Sequence, residues 1–177
     1  MKKTFFLGFF YIFAFNTLLV AEDSSSAHSK DIAGYWKTID EKTQKPQSII
    51  AIYEYQGKYY GRIVATYNDD GKFDDTIYEP KTRAPGIKGE PYYSGMDIIW
   101  NVKKVGHKYS DGHIVDPEKG RVYGVALWTQ GDNLVVRGEL FIFGRNQTWL
   151  PVHENEFSSV YKKPDTSQFV PVIPQVK

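Results

Sequence analysis

Between His107 and Val152, runs of β-branched and aromatic residues alternate with turn residues at short intervals, and this spacing restricts the chain more than any other feature. The runs are 112–116, 121–129, 133–143 and 146–152, with a further one at 156–162. Pro117-Glu118-Lys119-Gly120, Gln130-Gly131-Asp132 and Gly144 separate the first four. Gly supplies positive φ, Pro presets φ, and Asn or Asp bonds nearby backbone, so each separator favours a reversal. Short strands at such intervals, with no long amphipathic helical pattern, predict an all-β sandwich or barrel.

The first half of the chain agrees. Residues 32–39 form an aromatic and β-branched run ended by Asp40. Residues 47–55 and 58–67 flank Gln56-Gly57, a hairpin signal. In the second of these runs Tyr59, Gly61, Ile63, Ala65 and Tyr67 share one face, while Tyr60, Arg62, Val64 and Thr66 share the other. Residues 94–105 fit a short helix with Met96, Ile99, Trp100 and Lys103 on one side. They fit equally a strand with Ile98, Trp100 and Val102 together, and periodicity leaves both open. Residues 68–93 make the longest irregular stretch, rich in Asp and Pro. Its aspartates lack the D-x-[DN]-x-[DN]-G spacing of a calcium loop, and a solvated acidic turn is expected instead.

Eight or nine antiparallel strands in one domain suit an up-and-down β-barrel, which removes sheet edges by closing on itself. At 177 residues the chain is long enough to bury a substantial core. Lys2 and Lys3 precede an apolar run from Phe5 to Val20, and Ala21 offers a small residue for cleavage: residues 1–21 are expected to be a secretory signal peptide. Ser25-Ser26-Ala27 is a second candidate cut. Residues 22–31 read as a flexible leader, 32–163 as the barrel domain and 164–177 as an extended proline-rich tail. Export to the periplasm or beyond follows, with no integral membrane anchor once the signal is removed.

Removing Lys2 and Lys3 leaves 20 basic residues against 21 acidic ones. That balance argues against nucleic acid as a partner. The absence of cysteine excludes a disulfide framework, a thiol nucleophile and Cys-based zinc sites.

Two motifs resemble known families. Gly34-Tyr35-Trp36 looks like the G-x-W signature of lipocalins, in which the Trp closes the barrel floor against a late arginine. Asp111 to Pro117, Gly120, Tyr123, Leu134 to Gly138 and Gly144 to Trp149 resemble the bacterial domain-of-unknown-function family numbered 2147. Gly57-Lys58, Gly61 to Val64 and Gly95 to Ile99 extend that resemblance to about residues 32–152. It implies a small exported protein with a lipocalin-like, calycin-like barrel and no assigned activity. Members often carry an Asn-Pro-Asp-rich central loop, sometimes with cysteines; here the loop is Asp-rich and cysteine-free, so nothing tied to it carries over.

Eight strands leave an interior that side chains fill or that holds one small ligand. On the first reading the chain binds a small, largely apolar molecule. Trp36, Tyr53, Tyr123, Trp128 and Trp149 would line or close the barrel, with Arg62, Arg137 or Arg145 as polar contact. Glu139, two residues beyond Arg137 on one strand face, would offset the arginine's burial, as would a ring such as Trp36. This reading expects an internal cavity of at least about 300 Å³. The alternative is a protein-interaction module with a filled core, acting through residues 68–93. An enzyme is the least favoured reading, and would require His113, Asp116 and Glu139 to converge. No metal, cofactor or catalytic residue is expected, and Asp116-Pro117 reads as turn chemistry.

Overall fold

The computed structural model describes residues 31–140, 143–158 and 161–177. The expected signal peptide and nearly all of the leader lie outside the described residues. Nine strands follow in order: β1 Gly34–Ile39, β2 Pro46–Tyr55, β3 Lys58–Tyr67, β4 Phe73–Thr76, β5 Asp97–Val105, β6 Lys108–Asp116, β7 Arg121–Gln130, β8 Asn133–Leu140 and β9 Phe143–Pro151. Every pairing is antiparallel. The sheet runs β2-β1-β9-β8-β7-β6-β5-β3, and β2 pairs again with β3, so eight strands close into a barrel with β4 attached outside the ring to β3. The expected all-β barrel is the observed fold.

Local chemistry accounts for most boundaries. Gln56 and Gly57 both take positive φ, 50° and 74°, the conformation of a two-residue hairpin turn whose twist matches the strands it joins. Asp116 accepts from the amides of Glu118 and Lys119 and so closes the β6–β7 turn. Residues 94–105 resolve as strand from Asp97 onward, because β3 and β6 pair on either side and satisfy its backbone.

The structure corrects three sequence expectations. The run 133–143 breaks at Leu140, and Phe143 already belongs to β9. The run 156–162 is no strand where described: a 3₁₀ turn covers Glu154–Glu156, with Glu156 returning a side-chain bond to the His153 amide. The irregular stretch 68–93 contains β4, a four-residue edge strand.

Inward and outward faces are set by bulges as much as by alternation. Ile50 and Ile52 lie opposite Ile63 and Gly61, and a Cβ on Gly61 would sit 3.1 Å from both Ile52 and Ile99, so these positions point inward. Opposite Ile49 and Ile50 the register shifts, leaving Val64 as an extra residue in β3; this turns Ala65 outward beside Val64, where Ile49 and Ala51 already point. Asn101 (φ 60°) produces the same effect in β5: Ile99 and Val102 face the interior, while Trp100 turns out and stacks on His113. Two apolar clusters result. The larger fills the barrel with Trp36, Ile50, Ile99, Leu127, Leu134 and Trp149, and extends over the outer wall to Trp100 and Tyr53. The smaller lies on the outer face of β2 and β3, where Tyr161 covers Ile49, Ala51, Val64 and Ala65 and donates to the Val64 carbonyl at 2.8 Å.

Candidate functional site

The two ends of the barrel differ in burial: one is packed by side chains, and at the other the inward faces reach solvent. At the filled end Trp36 is 4% exposed, and its indole N–H donates to the Ile32 carbonyl at 2.8 Å. The bond uses a residue two positions before β1 to seal the floor. Trp149, Leu127, Leu134, Val102 and Tyr109 fill the space above it. No arginine stacks on Trp36 among the described residues, so the floor is closed by backbone bonding and packing.

Toward the other end the inward face of β9 changes character within five residues. Trp149 is buried, whereas Gln147 and Arg145, inward by the same alternation, are exposed. Across the ladder, Gln147 pairs with Val136 and Arg145 with Gly138, whose Cβ position points at Ile114. Tyr123 pairs with Ile114 on the same face and is half-buried. Arg145 reaches over the rim to the Glu41 carboxylate in the β1–β2 turn, and both side chains remain solvent-accessible. This end therefore sets half-buried Tyr123 and Ile114 beside an exposed guanidinium and an exposed amide. Beside it a hollow of about 250 Å³ lies among Ile39, Glu41, Gln44, Asn146, Gln147 and Thr148. A second, of about 210 Å³, lies on the outside between residues 91–96 and the C-terminal tail. Neither is an enclosed interior cavity of the expected size.

Of the nine residues singled out from sequence, the mouth and floor bring together Trp36, Tyr123, Arg145 and Trp149. The other five point outward. Arg137 is on the outer wall, bonded to Glu139 at 3.0 Å and to the Asn146 amide oxygen at 3.0 Å; the expected Arg137–Glu139 pair exists, but in solvent. Trp128 faces out with the Lys108 ammonium 5.3 Å from its ring. Tyr53 and Arg62 are outward too, yet buried.

Their burial has a cause that sequence reading missed. Asp97, at the start of β5, is fully buried and accepts Arg62 Nε at 3.1 Å, Arg62 Nη2 at 2.9 Å and the Tyr53 hydroxyl at 2.9 Å. Arg62 also lies opposite Asp97 in the β3–β5 register. Burial, and after it the adjacent Asp97 carboxylate, push the Tyr53 phenol well above its ordinary range, so it stays a protonated donor. The last residues of the chain cover the cluster. A hint was available in the sequence: Phe169 and four further apolar residues among three prolines in residues 164–177 make an apolar tail.

The enzyme reading finds no convergence. His113 stacks on Trp100, Asp116 caps its turn, and Glu139 holds Arg137. Gly124 lies between His113 and Glu139 in register, so their backbones stand two strand spacings apart, roughly 10 Å. In the acidic stretch Asp75 is buried and caps the amides of Lys81 and Thr82, rather than sitting solvated as expected. Among the described residues no group of three or more His, Asp or Glu is arranged to hold a metal.

No curated protein matches the chain. Among solved structures the fold is similar to that of Protein HP1028 from the human pathogen Helicobacter pylori, described as belonging to the lipocalin family. The TM-score is 0.57 at 20% identity, over 71% of this chain and 86% of that one. At that identity the likeness concerns the fold alone. The family model described as "Uncharacterized protein conserved in bacteria (DUF2147)" matches residues 34–150, nearly the whole barrel, and the chain belongs to that family.

Proposed function

We propose that this protein binds a small, largely apolar molecule at the open mouth of its barrel. The supporting observation is the passage along one face of β9 from buried Trp149 to exposed Gln147 and Arg145. Burial on this face ends above Trp149, and the polar groups beyond it are exposed and able to meet a ligand. Here the apolar part of a ligand would rest on the half-buried Tyr123 and Ile114, and its polar end would meet Arg145 or Gln147. An anionic head group would compete with Glu41 for Arg145, since a carboxylate suits the guanidinium fork. Similarity to a lipocalin-family structure agrees with this use of the fold. The ligand would be held shallowly, because the floor half is occupied by side chains.

The test is native mass spectrometry of protein purified from its own host, with Trp149 fluorescence followed during titration of an apolar carboxylate. A co-purifying adduct, and a fluorescence change lost in Arg145→Ala, are the expected results. Absence of both would overturn the reading. An interaction module acting through residues 68–93 is less well supported, because that loop is tied down. Its 83–90 portion bonds the tail through Lys88 N–H to the Gln175 carbonyl, and Arg83 packs on Tyr92.

We further propose that the protein is exported by the segment 1–21, on the strength of its charge and apolar pattern. The mass of the mature chain recovered from the periplasm or medium checks this; retention of residues 1–21 would refute it.

A further inference from the structure

The C-terminal tail is held on the outside of the barrel by groups that read its backbone. The Phe169 ring lies 4.5 Å from the Arg62 guanidinium carbon and meets the Tyr53 ring edge-on at 5.3 Å. One residue on, the Val170 carbonyl accepts from Arg62 Nη2 at 2.6 Å; two further, the Val172 N–H donates to Asp97 Oδ2 at 2.5 Å. The Arg62–Asp97 pair thus binds a carbonyl and an amide that flank Pro171. Proline has no N–H to leave unsatisfied there, and it biases Val170 toward the extended backbone these two contacts require. Farther along, Ile87 bridges Val176, and the Lys177 amide donates to the Gly86 carbonyl at 3.2 Å, so the tail is tied to the loop by one antiparallel bridge. The side chains of Val170, Val172 and Ile173 meanwhile stay 61%, 58% and 45% exposed. Recognition is of an aromatic ring followed by an extended, proline-bearing backbone.

We propose that the outer face of β2, β3 and β5 is a peptide-recognition groove for an extended Phe-x-Pro-x segment, filled in cis by the chain's own tail and able to accept the same tail from a second copy. The contacts described here all lie between Phe169 and Lys177, so an incoming copy of this segment can make every one of them once the resident segment lifts. The exposed row of Val170, Val172 and Ile173 is the apolar surface that two exchanged tails would cover between them. Three prolines limit the freedom the tail loses on docking, which favours binding in cis and in trans alike.

The test uses full-length protein and a labelled peptide of residues 164–177. Phe169→Ala weakens the tail and leaves the groove; Asp97→Asn weakens the groove and leaves the tail. The peptide should bind Phe169→Ala at least about tenfold more tightly than wild type, where the tethered tail competes at an effective concentration on the order of millimolar. It should not bind measurably to Asp97→Asn that circular dichroism shows to be folded. Mixing the two variants should give a heterodimer by native mass spectrometry that neither forms alone. Should Phe169→Ala unfold, Val172→Pro removes the single N–H donor and keeps the ring. Wild type offers a measurement without substitution: excess peptide should accelerate hydrogen exchange at the Val172 amide. No binding to a folded tail variant, or exchange unchanged by peptide, overturns the groove. Peptide binding without heterodimer overturns the second copy as its occupant.

Discussion

Arg62 on β3 grips Asp97 on β5 at two points, through Nε at 3.1 Å and Nη2 at 2.9 Å, on the outer wall of the barrel and beneath the tail. The carboxylate is fully buried and the guanidinium nearly so. Removing one partner strands a buried charge. Asp97→Ala should therefore lower unfolding free energy in urea by about 3–5 kcal/mol, whereas the double change Arg62→Met with Asp97→Leu should regain most of that loss. A double variant no more stable than Asp97→Ala would show that the charges themselves are required.

Trp36 seals the floor with both its area and its indole N–H. Trp36→Ala should destabilise by about 3–5 kcal/mol through cavity formation. Trp36→Phe, which retains a ring but leaves the Ile32 carbonyl without its donor, should cost about 1–3 kcal/mol. Equal losses in the two variants, read from denaturant curves, would argue that packing contributes nothing beyond the bond.

At Gly112 β6 passes close against β5. A Cβ there would stand 2.4 Å from Val102 Cγ2 and 2.7 Å from the Trp100 carbonyl oxygen, in a wall that cannot yield by moving a flexible side chain alone. Gly112→Ala should destabilise by about 1–3 kcal/mol or more. Gly131→Ala offers the control, since nothing crowds it and only its positive φ opposes the change. Thermal melts should place Gly112→Ala below Gly131→Ala.

Alkaline pH should unfold the protein through its buried phenols. Burial first, then nearby Asp165, pushes Tyr35 up to about 12, and burial with Glu156 pushes Tyr67 up to about 12, from an ordinary 10.0. A raised folded-state value means that the native state keeps its proton where the unfolded chain has lost it. Their stabilisation is complete below pH 10 and is lost as pH rises through about 12. Tyr53 and Tyr161 shift in the same direction by burial and extend the effect upward. Tyrosinate absorbance and circular dichroism followed together should change in one step above pH 10. Ionisation of all tyrosines near 10 with the fold intact would contradict it.

The hairpin at Gln56-Gly57, the turn at Asp116-Pro117 and the strand runs of the second half were legible because their causes are local. A two-residue turn needs positive φ, a capping carboxylate needs nearby amides, and alternation needs only neighbouring positions. Residues 94–105 stayed ambiguous for the same reason: nothing within twelve residues separates helix from strand, and pairing with β3 and β6 decided it. Arg137 with Glu139 was read correctly as a pair and incorrectly as interior, because strand alternation names two faces without saying which is inside.

By itself the sequence determined a succession of short antiparallel strands, the aromatic residue that closes their floor, and the family. The tertiary structure alone decided which face of each strand the barrel encloses, since one extra residue at Val64 in β3 or near Asn101 in β5 reverses every side chain beyond it. It also decided that Arg62 and Asp97, thirty-five positions apart, share one buried site. That site exists because a tail more than seventy residues farther on folds back across it, and no local pattern encodes such a return.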